Sequence, residues 1–463
     1  MAKSKTSQRD EQHELTRRAL IKWSIAAGGA LGVSRSKIFE VLEKTAGKGV
    51  AFAATESPIT RVFDIEWGTG SLAWMTQLWP FPKIAKARNP AFSWGPVGME
   101  QDVAGTHNPL VKGPNTPWQN LAPEKQITVF IAGNNETHKE LATSTTLIGG
   151  SNVLALNTSL QAVLPAVLPA IAVGQNMSIG TGPGSATAAA VGSPDGMVDL
   201  FNSAASSAGG LLTNTNDAQL YAAHYQAFIQ LNRAANRSTE RPGYTTAQSA
   251  AKFLGTNLKS QLAVTPDDLT RYGINAGTRT SVAQLGRAMI IGVKAMKMGL
   301  TNLIQVRGFN DDPHGAFASQ DFMTVPAQLK LIYDGFMADL QKTIDDNNGQ
   351  PLADDIVIIN KGDTFKTPVD RVGWNDNSSS GSNALWVYGA GHLYSGFFGD
   401  IGTNDVAQGV DATGKLTTYS AANTAKQALA AILYAVAKRD DRLIQNFVGG
   451  VQASGVFGPA KNV

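Results

Sequence analysis

The chain has 463 residues, which is enough to bury a sizeable core in one large domain or two smaller ones. Its formal net charge is +3 and it has no basic run interleaved with aromatic residues, so nothing in it indicates nucleic-acid binding. The chain contains no cysteine, which excludes disulfides, thiolate metal sites and a cysteine nucleophile.

The N-terminal segment has the pattern of a cleaved export signal. The stretch 16–22 (TRRALIK) is close to the twin-arginine consensus, a short apolar run follows at 23–33, and residues 51–53 (AFA) form a small-x-small cleavage pattern. The apolar run is too short to span a bilayer, and no other stretch is a transmembrane candidate. The sequence therefore predicts a twin-arginine signal peptide over 1–54 and a periplasmic, extracellular or cell-surface protein. The alternative is a basic amphipathic N-terminal helix on a cytosolic protein.

The remaining residues, 55–463, are expected to form a single domain. Its first predicted strands are 59–67 and 126–131, since both are apolar runs that end in polar loops. A helix is predicted from 138 to about 148, and the region at about 217–300 is expected to be mostly helical. The segment 164–173 contains two prolines, which restrict it to an edge strand or an extended linker.

The C-terminal part of the chain alternates strands and helices. Apolar runs predict strands at 302–306, 355–359 and 384–388, and a helical pattern at 326–346 lies between the first two. A last helix is predicted at about 423–438. Near-continuous apolar strands joined through helices are typical of a parallel sheet covered on both faces. The sequence therefore predicts an α/β fold with a mainly parallel central sheet.

Polar side chains stand where these predicted strands end. Asp312 and His314 follow one strand, Asp363 and Thr364 follow the next, and Asp376 lies in the loop beyond. In parallel sheets, ligands bind beyond the carboxyl ends of the strands. We therefore expect these side chains to converge at one edge of the sheet.

Four segments resemble a bacterial secreted family known as domain-of-unknown-function family fifteen-oh-one, which is similar to the alkaline phosphatase and sulfatase superfamily. The family's Gly-Trp-Asp-Thr-His corresponds to 308–314 (GFNDDPH), and its Ser-Glu-Phe-Gly-Arg-Thr-Pro to 362–368 (GDTFKTP). Its Gly-Arg-Asp-His corresponds to 373–376 (GWND), and its glycine-rich strand end to 389–391 (GAG). The family often has a histidine where His138 stands. The resemblance covers about the C-terminal third and implies a three-layer sandwich of alkaline phosphatase-like type.

The resemblance also implies chemistry. Enzymes of the superfamily bind one or two divalent metals and activate a serine or threonine hydroxyl, a role that would fall to Thr364. The metal ligands that the resemblance implies are Asp312, His314, Asp363 and Asp376, with His138 as a further candidate. Oxygen ligands with few histidines favour Ca²⁺, Mg²⁺ or Mn²⁺ over Zn²⁺.

The sequence departs from the family pattern at two places that matter for this chemistry. The first loop, 68–74 (GTGSLAW), lacks the family's histidine and aspartate. Lys366 replaces the family's arginine, which keeps the charge but loses the bidentate contact with an oxyanion. We therefore expect room for at most one divalent ion.

Three hypotheses follow. The first is an exported envelope protein with an alkaline phosphatase-like fold and a decayed metal site, which acts as a binding or structural protein for an unknown envelope partner. The second is a divergent metal-dependent hydrolase of small anionic esters, either phosphate or sulfate. The third is an unrelated envelope protein with an ordinary α/β fold. The lost ligands favour the first hypothesis.

Overall fold

A computed structural model describes residues 59–87, 100–164, 166–205, 253, 257–314, 321–346, 349–369 and 376–461. The predicted signal peptide lies outside the described residues, as do 217–252 and 254–256 of the predicted helical region. The described part of that region, 257–300, contains three helices, as expected.

Eight strands of the described chain form one mixed sheet. Their bounds are β1 Arg61–Gly68, β4 Ile127–Asn134, β7 Leu168–Val173, β8 Ala189–Val191, β9 Thr301–Asn310, β10 Ile356–Gly362, β11 Ser382–Tyr388 and β12 Gly396–Phe398. Their order across the sheet is β12-β4-β11-β10-β1-β9-β7-β8. All five predicted strands at 59–67, 126–131, 302–306, 355–359 and 384–388 lie in this one sheet, which confirms the α/β class.

Smaller strands and the helices complete the described elements. The short strands are β2 Gln101–Asp102, β3 Val111–Lys112, β5 Leu147–Ile148, β6 Ser151–Asn152, β13 Asp400–Ile401, β14 Ala407–Val410 and β15 Leu416–Thr418. The helices are α1 Met75–Leu78, α2 Pro82–Lys86, α3 Val153–Leu160, α4 Pro194–Ala205, α5 Leu258–Leu262, α6 Pro266–Arg271, α7 Thr280–Lys297, α8 Asp321–Lys342, α9 Ala421–Val436 and α10 Asp441–Val448.

One strand breaks the parallel pattern. Every neighbouring pair in the large sheet is parallel except the two pairs that β11 makes, with β10 and with β4. Parallel neighbours need a long crossover, whereas antiparallel neighbours can be joined by a loop that stays at one edge. Because β10 and β11 are antiparallel neighbours, the connection between them begins and ends at the same edge of the sheet. The expectation that the strand at 384–388 runs parallel to the others is therefore wrong, and its glycine-rich end at 389–391 lies at the opposite edge.

The proline-containing strand β7 is not an edge strand, because it pairs with β9 on one side and with β8 on the other. The main-chain N–H of Leu168 donates to Leu300 O on the β9 side. Since successive residues of a strand point their N–H groups in opposite directions, the backbone nitrogen of Pro169 faces the β8 side. Pairing with β8 begins only at Ile171, so the missing N–H of Pro169 breaks no ladder.

The large sheet contributes to two separate hydrophobic clusters. Alternate residues of β1 point to opposite faces, so Phe63 and Val62 belong to different clusters. The cluster that contains Phe63 includes residues of α7 and α8, among them Ile290 and Phe336. The other cluster includes residues of α3 and α9, among them Ile432. Each face of the sheet thus has its own set of helical partners.

Two predicted helices differ from the structure. The helix predicted at 326–346 is present as α8, but it begins earlier, at Asp321, and has Pro326 in its second turn. The helix predicted from 138 to 148 is wrong. His138 has a left-handed φ of 58°, which ends any helical path there, and turns lead from it into β5. Among the described residues, no helix combines the length and the apolar character that a membrane span requires.

Candidate functional site

The site lies at the edge of the sheet where β1, β4, β9 and β10 end and β11 begins. The loops that follow these strands are tied together through their backbones. Glu136 N donates to Asp363 O at 2.8 Å, and Asp363 N donates to Trp67 O at 3.2 Å. Because β11 runs the other way, the loop that carries Asp376 reaches the same edge before the strand begins rather than after it.

The ammonium of Lys366 is at the centre of the site. Its Nζ lies 2.8 Å from Asp376 Oδ1, 3.1 Å from Asp312 Oδ1 and 3.2 Å from His314 Nδ1. The Lys366 side chain is 0% exposed, so both its aliphatic stem and its ammonium are buried. A lysine ammonium has three N–H donors, and three neighbouring side chains here can take all of them.

The two histidines close the cluster on its solvent side. His138 Nε2 lies 3.2 Å from Asp376 Oδ1, and His314 Nδ1 lies 3.1 Å from Asp312 Oδ2. One ligand atom each from His138, Asp312 and Asp376 lie within 4.8 Å of one another, which is a spacing that could hold a metal ion. Both histidine side chains are 47% exposed, so the cluster opens to solvent.

Asp363 and Thr364 sit below this cluster, and both are buried. Asp363 Oδ2 accepts the N–H of Gly70 at 2.7 Å, and Asp363 Oδ1 accepts the N–H of Thr364 at 2.8 Å. Burial raises the pKa of Asp363 to about 6, and the backbone N–H donors oppose that rise only in part. Thr364 Oγ1 accepts the N–H of Lys366 at 3.1 Å. Asp363 thus fixes the loops to each other, and the Thr364 hydroxyl is not open to a substrate.

Three non-glycine residues at this edge have unusual backbone conformations. Thr69, His138 and Lys366 have left-handed φ angles of 50°, 58° and 59°. Each such non-glycine residue costs on the order of 1–3 kcal/mol and persists only where its surroundings hold it. Gly70 has φ 83°, and a Cβ there would lie 3.0 Å from Asp312 Oδ2 and from Lys366 Cε. Strain of this kind is typical of functional sites.

The donor set does not fit a divalent ion while Lys366 is present. An ion bound between Asp312 and Asp376 would stand beside the ammonium, which already uses those carboxylate oxygens. The hydrogen bond from Lys366 is the largest of the effects that lower the pKa of Asp376, so this carboxylate is held ionised by the lysine itself. Lys366 already donates to Asp312 and Asp376, and to His314 as well when its Nδ1 carries no proton.

A second ionic cluster lies beneath the site and was not anticipated from the sequence. Asp64 and Glu66 of β1 both contact the ammonium of Lys361 on β10, at 3.0 Å in the case of Asp64 Oδ2, and all three side chains are buried. Glu66 Oε1 also accepts the N–H of Ala142 at 2.9 Å, which anchors the loop that carries His138. Residues i and i+2 of a strand lie on the same face of the sheet. The spacing of Asp64 and Glu66 in an apolar strand was therefore the feature of the sequence that could have indicated this cluster.

Comparison of the chain with protein-family models, with curated proteins and with solved structures finds no match in any of the three. The alkaline phosphatase resemblance therefore depends on the four segments quoted above.

Proposed function

We propose that this chain is an exported envelope protein, directed by its twin-arginine segment to the periplasm or the cell surface. Residues 55–463 form a single three-layer sandwich of alkaline phosphatase-like type. A lysine side chain stands where relatives of that type would hold a metal, and the protein acts by binding a partner or by supporting envelope structure rather than by catalysis.

The position of the Lys366 ammonium between Asp312 and Asp376 is the observation that supports this proposal. A cation that is part of the chain contacts both carboxylates and offsets part of their mutual repulsion, so the loops have a positive charge between them without a metal. The buried Thr364 hydroxyl gives independent support, since a nucleophile must reach its substrate.

One observation favours the alternative, a divergent metal-dependent hydrolase of phosphate or sulfate esters. His138, Asp312 and Asp376 keep a spacing compatible with one Ca²⁺, Mg²⁺ or Mn²⁺ ion, and their side chains are partly exposed. In that case Lys366 would have to swing away to admit the ion and a small anionic ester.

A calorimetric titration separates the two proposals. Chelator-treated protein titrated with Ca²⁺, Mg²⁺, Mn²⁺ and Zn²⁺ is expected to show one weak site or none. The Lys366→Met variant is expected to gain a divalent-ion site, because it keeps the ligands and loses the competing charge. Lys139→Met, on the exposed loop beside the site, is the matched control and should behave as wild type. Two tight sites in the wild-type protein, or ester turnover that Asp363→Asn abolishes, would establish the hydrolase.

Export is tested separately. Replacing Arg17 and Arg18 together by lysine keeps the charge of the segment but removes the arginine pair that the twin-arginine pathway reads. We expect the unprocessed precursor to accumulate in the cytoplasm, as measured by fractionation and immunoblotting. A single replacement of the nearby Lys22 by arginine serves as the control. Normal export and shortening of the double variant would disprove the assignment of this pathway.

A further inference from the structure

A lysine and two carboxyl groups are in contact on one face of the large sheet. Lys361 of β10 is the register partner of Glu66 on β1, and Asp64 lies two residues earlier on the same face of β1. The Nζ atom of Lys361 is 3.0 Å from Asp64 Oδ2 and also contacts Glu66 Oε2. Each of the three side chains is at most 1% exposed. One amine and two carboxyl groups are therefore fixed against each other, out of reach of bulk water.

Burial changes the chemistry that such a contact allows. In water an ammonium ion and a carboxylate do not condense, because the ammonium has no free electron pair and the carboxylate resists attack. A protein interior disfavours charged forms, so the transfer of one proton from the ammonium to the carboxylate costs less there and gives a neutral amine and a neutral carboxylic acid. Two groups held in contact also react as if each were present at an effective concentration of about 10⁵–10⁸ M.

The polar groups around the two carboxyls differ in a way that gives them different roles. Glu66 Oε1 accepts the N–H of Ala142 at 2.9 Å, so this carboxyl is held with Oε2 against the lysine nitrogen. Asp64 has a side-chain hydrogen bond with Gln305 of β9. Because Gln305 Oε1 has no partner among the described residues, its amide N–H is the group that faces Asp64, where it can stabilise negative charge on the carboxyl. Asp64 Oδ1 has no hydrogen-bond partner in the described part of the chain, so it can leave without breaking one.

We propose that Lys361 and Asp64 condense to an intramolecular isopeptide bond that joins β10 to β1, with Glu66 as the group that moves the protons. The ammonium first gives one proton to the Asp64 carboxylate, and the neutral Nζ attacks Asp64 Cγ to form the Nζ–Cγ bond. Glu66 Oε2 takes a proton from Nζ and passes it to the Oδ1 hydroxyl. The Cγ–Oδ1 bond then breaks and Oδ1 departs as water. The step needs no oxidant, metal or second substrate.

The ion pair in the structure is the state before this bond forms. The bond joins residues 297 apart in sequence, so it closes a long loop of the unfolded chain. Glu66 keeps its carboxyl in the product, and loss of Lys361 removes the contact with Asp64 in either state. This proposal is independent of the proposed envelope function.

Mass spectrometry of the purified, denatured protein tests the proposal. Beyond the difference that the substitution itself makes, the wild-type chain is expected to be lighter than Lys361→Arg by the mass of one water molecule. A tryptic digest is expected to contain one branched species that joins the peptide of Asp64 to that of Lys361, since trypsin does not cleave after an acylated lysine. Lys438 and Asp355 are the internal control. Their side chains also meet, at 2.6 Å, but Lys438 is 20% exposed and Asp355 is shared with Arg61, so their peptides should stay separate.

Two variants assign the roles within the bond-forming step. Glu66→Gln keeps the size of the side chain but cannot accept the proton, so it is expected to stay unlinked at full mass, with near-UV circular dichroism confirming that it folds. Asp64→Asn is expected to condense with loss of ammonia instead of water. Full mass and separate peptides in the folded wild-type protein would overturn the proposal, and they do not depend on whether either variant folds. A branch at Glu66 instead of Asp64, or normal condensation of Glu66→Gln, would overturn the assigned roles.

Discussion

Replacement of Lys361 by methionine is expected to lower the free energy of unfolding by about 3–5 kcal/mol. The ammonium of Lys361 is the cation that Asp64 and Glu66 contact in a fully buried environment. Methionine fills nearly the same volume, so the loss comes from two buried carboxylates left without their partner rather than from a cavity. Urea denaturation at pH 8 measures the effect.

Lys139→Met is the control for this experiment. Lys139 also pairs with a carboxylate, at 2.8 Å from Glu136 Oε1, but its side chain is 55% exposed. Exposed ion pairs contribute about 0–1 kcal/mol, so this variant should be nearly as stable as wild type. Equal losses in the two variants would contradict the description of Lys361 as a buried ion-pair centre.

The contribution of Glu66 to stability is expected to fall as the pH rises from about 4.5 to about 7. Burial raises the pKa of this carboxyl from its ordinary 4.5 to about 7, so between these values the folded protein binds a proton that the unfolded chain has released. Stability therefore decreases with pH across this window and is flat above it. A shift of this size corresponds to about 3 kcal/mol.

The measurement compares wild type with Glu66→Gln in urea denaturation across this pH range. The comparison is needed because His392, whose pKa burial lowers to about 4, contributes a pH dependence of opposite sign. Asp363, with its pKa raised to about 6, contributes in the same direction as Glu66, and both remain in the variant. The difference between the two proteins should shrink toward acid pH. A difference that stays constant with pH would show that Glu66 does not titrate in this window.

Much of the sheet was readable from the sequence because its strands are buried on both faces and therefore appear as short apolar runs. The five predicted strands needed no information beyond that pattern. Strand direction was not readable, because the apolar run of β11 is the same whichever way the strand points. The interior position of β7 was also missed, since proline excludes a strand from the interior only where its N–H is required.

The site was predictable to the extent that strand ends determine it. The expectation that side chains at strand ends converge placed Asp312, His314 and Asp376 at one edge of the sheet. Asp376 lies at this edge because it precedes the antiparallel strand β11, rather than because it follows a parallel strand. The same rule placed Asp363 near this edge. It did not predict that both carboxylate oxygens of Asp363 accept backbone N–H groups below the cluster. The central position of the Lys366 ammonium could not be predicted from the sequence, because a long side chain can adopt many positions. Its direction depends on the left-handed backbone conformation of Lys366, which the sequence does not indicate.

The left-handed residues at this edge also limit how the protein can change over evolutionary time. At Thr69, His138 and Lys366 the backbone itself favours glycine, asparagine or aspartate over every other residue, whatever the side chain does. Neutral drift at these positions should therefore run toward glycine and asparagine once selection on the side chain is relaxed. A lineage that keeps threonine, histidine and lysine there is one in which the side chains themselves are under selection.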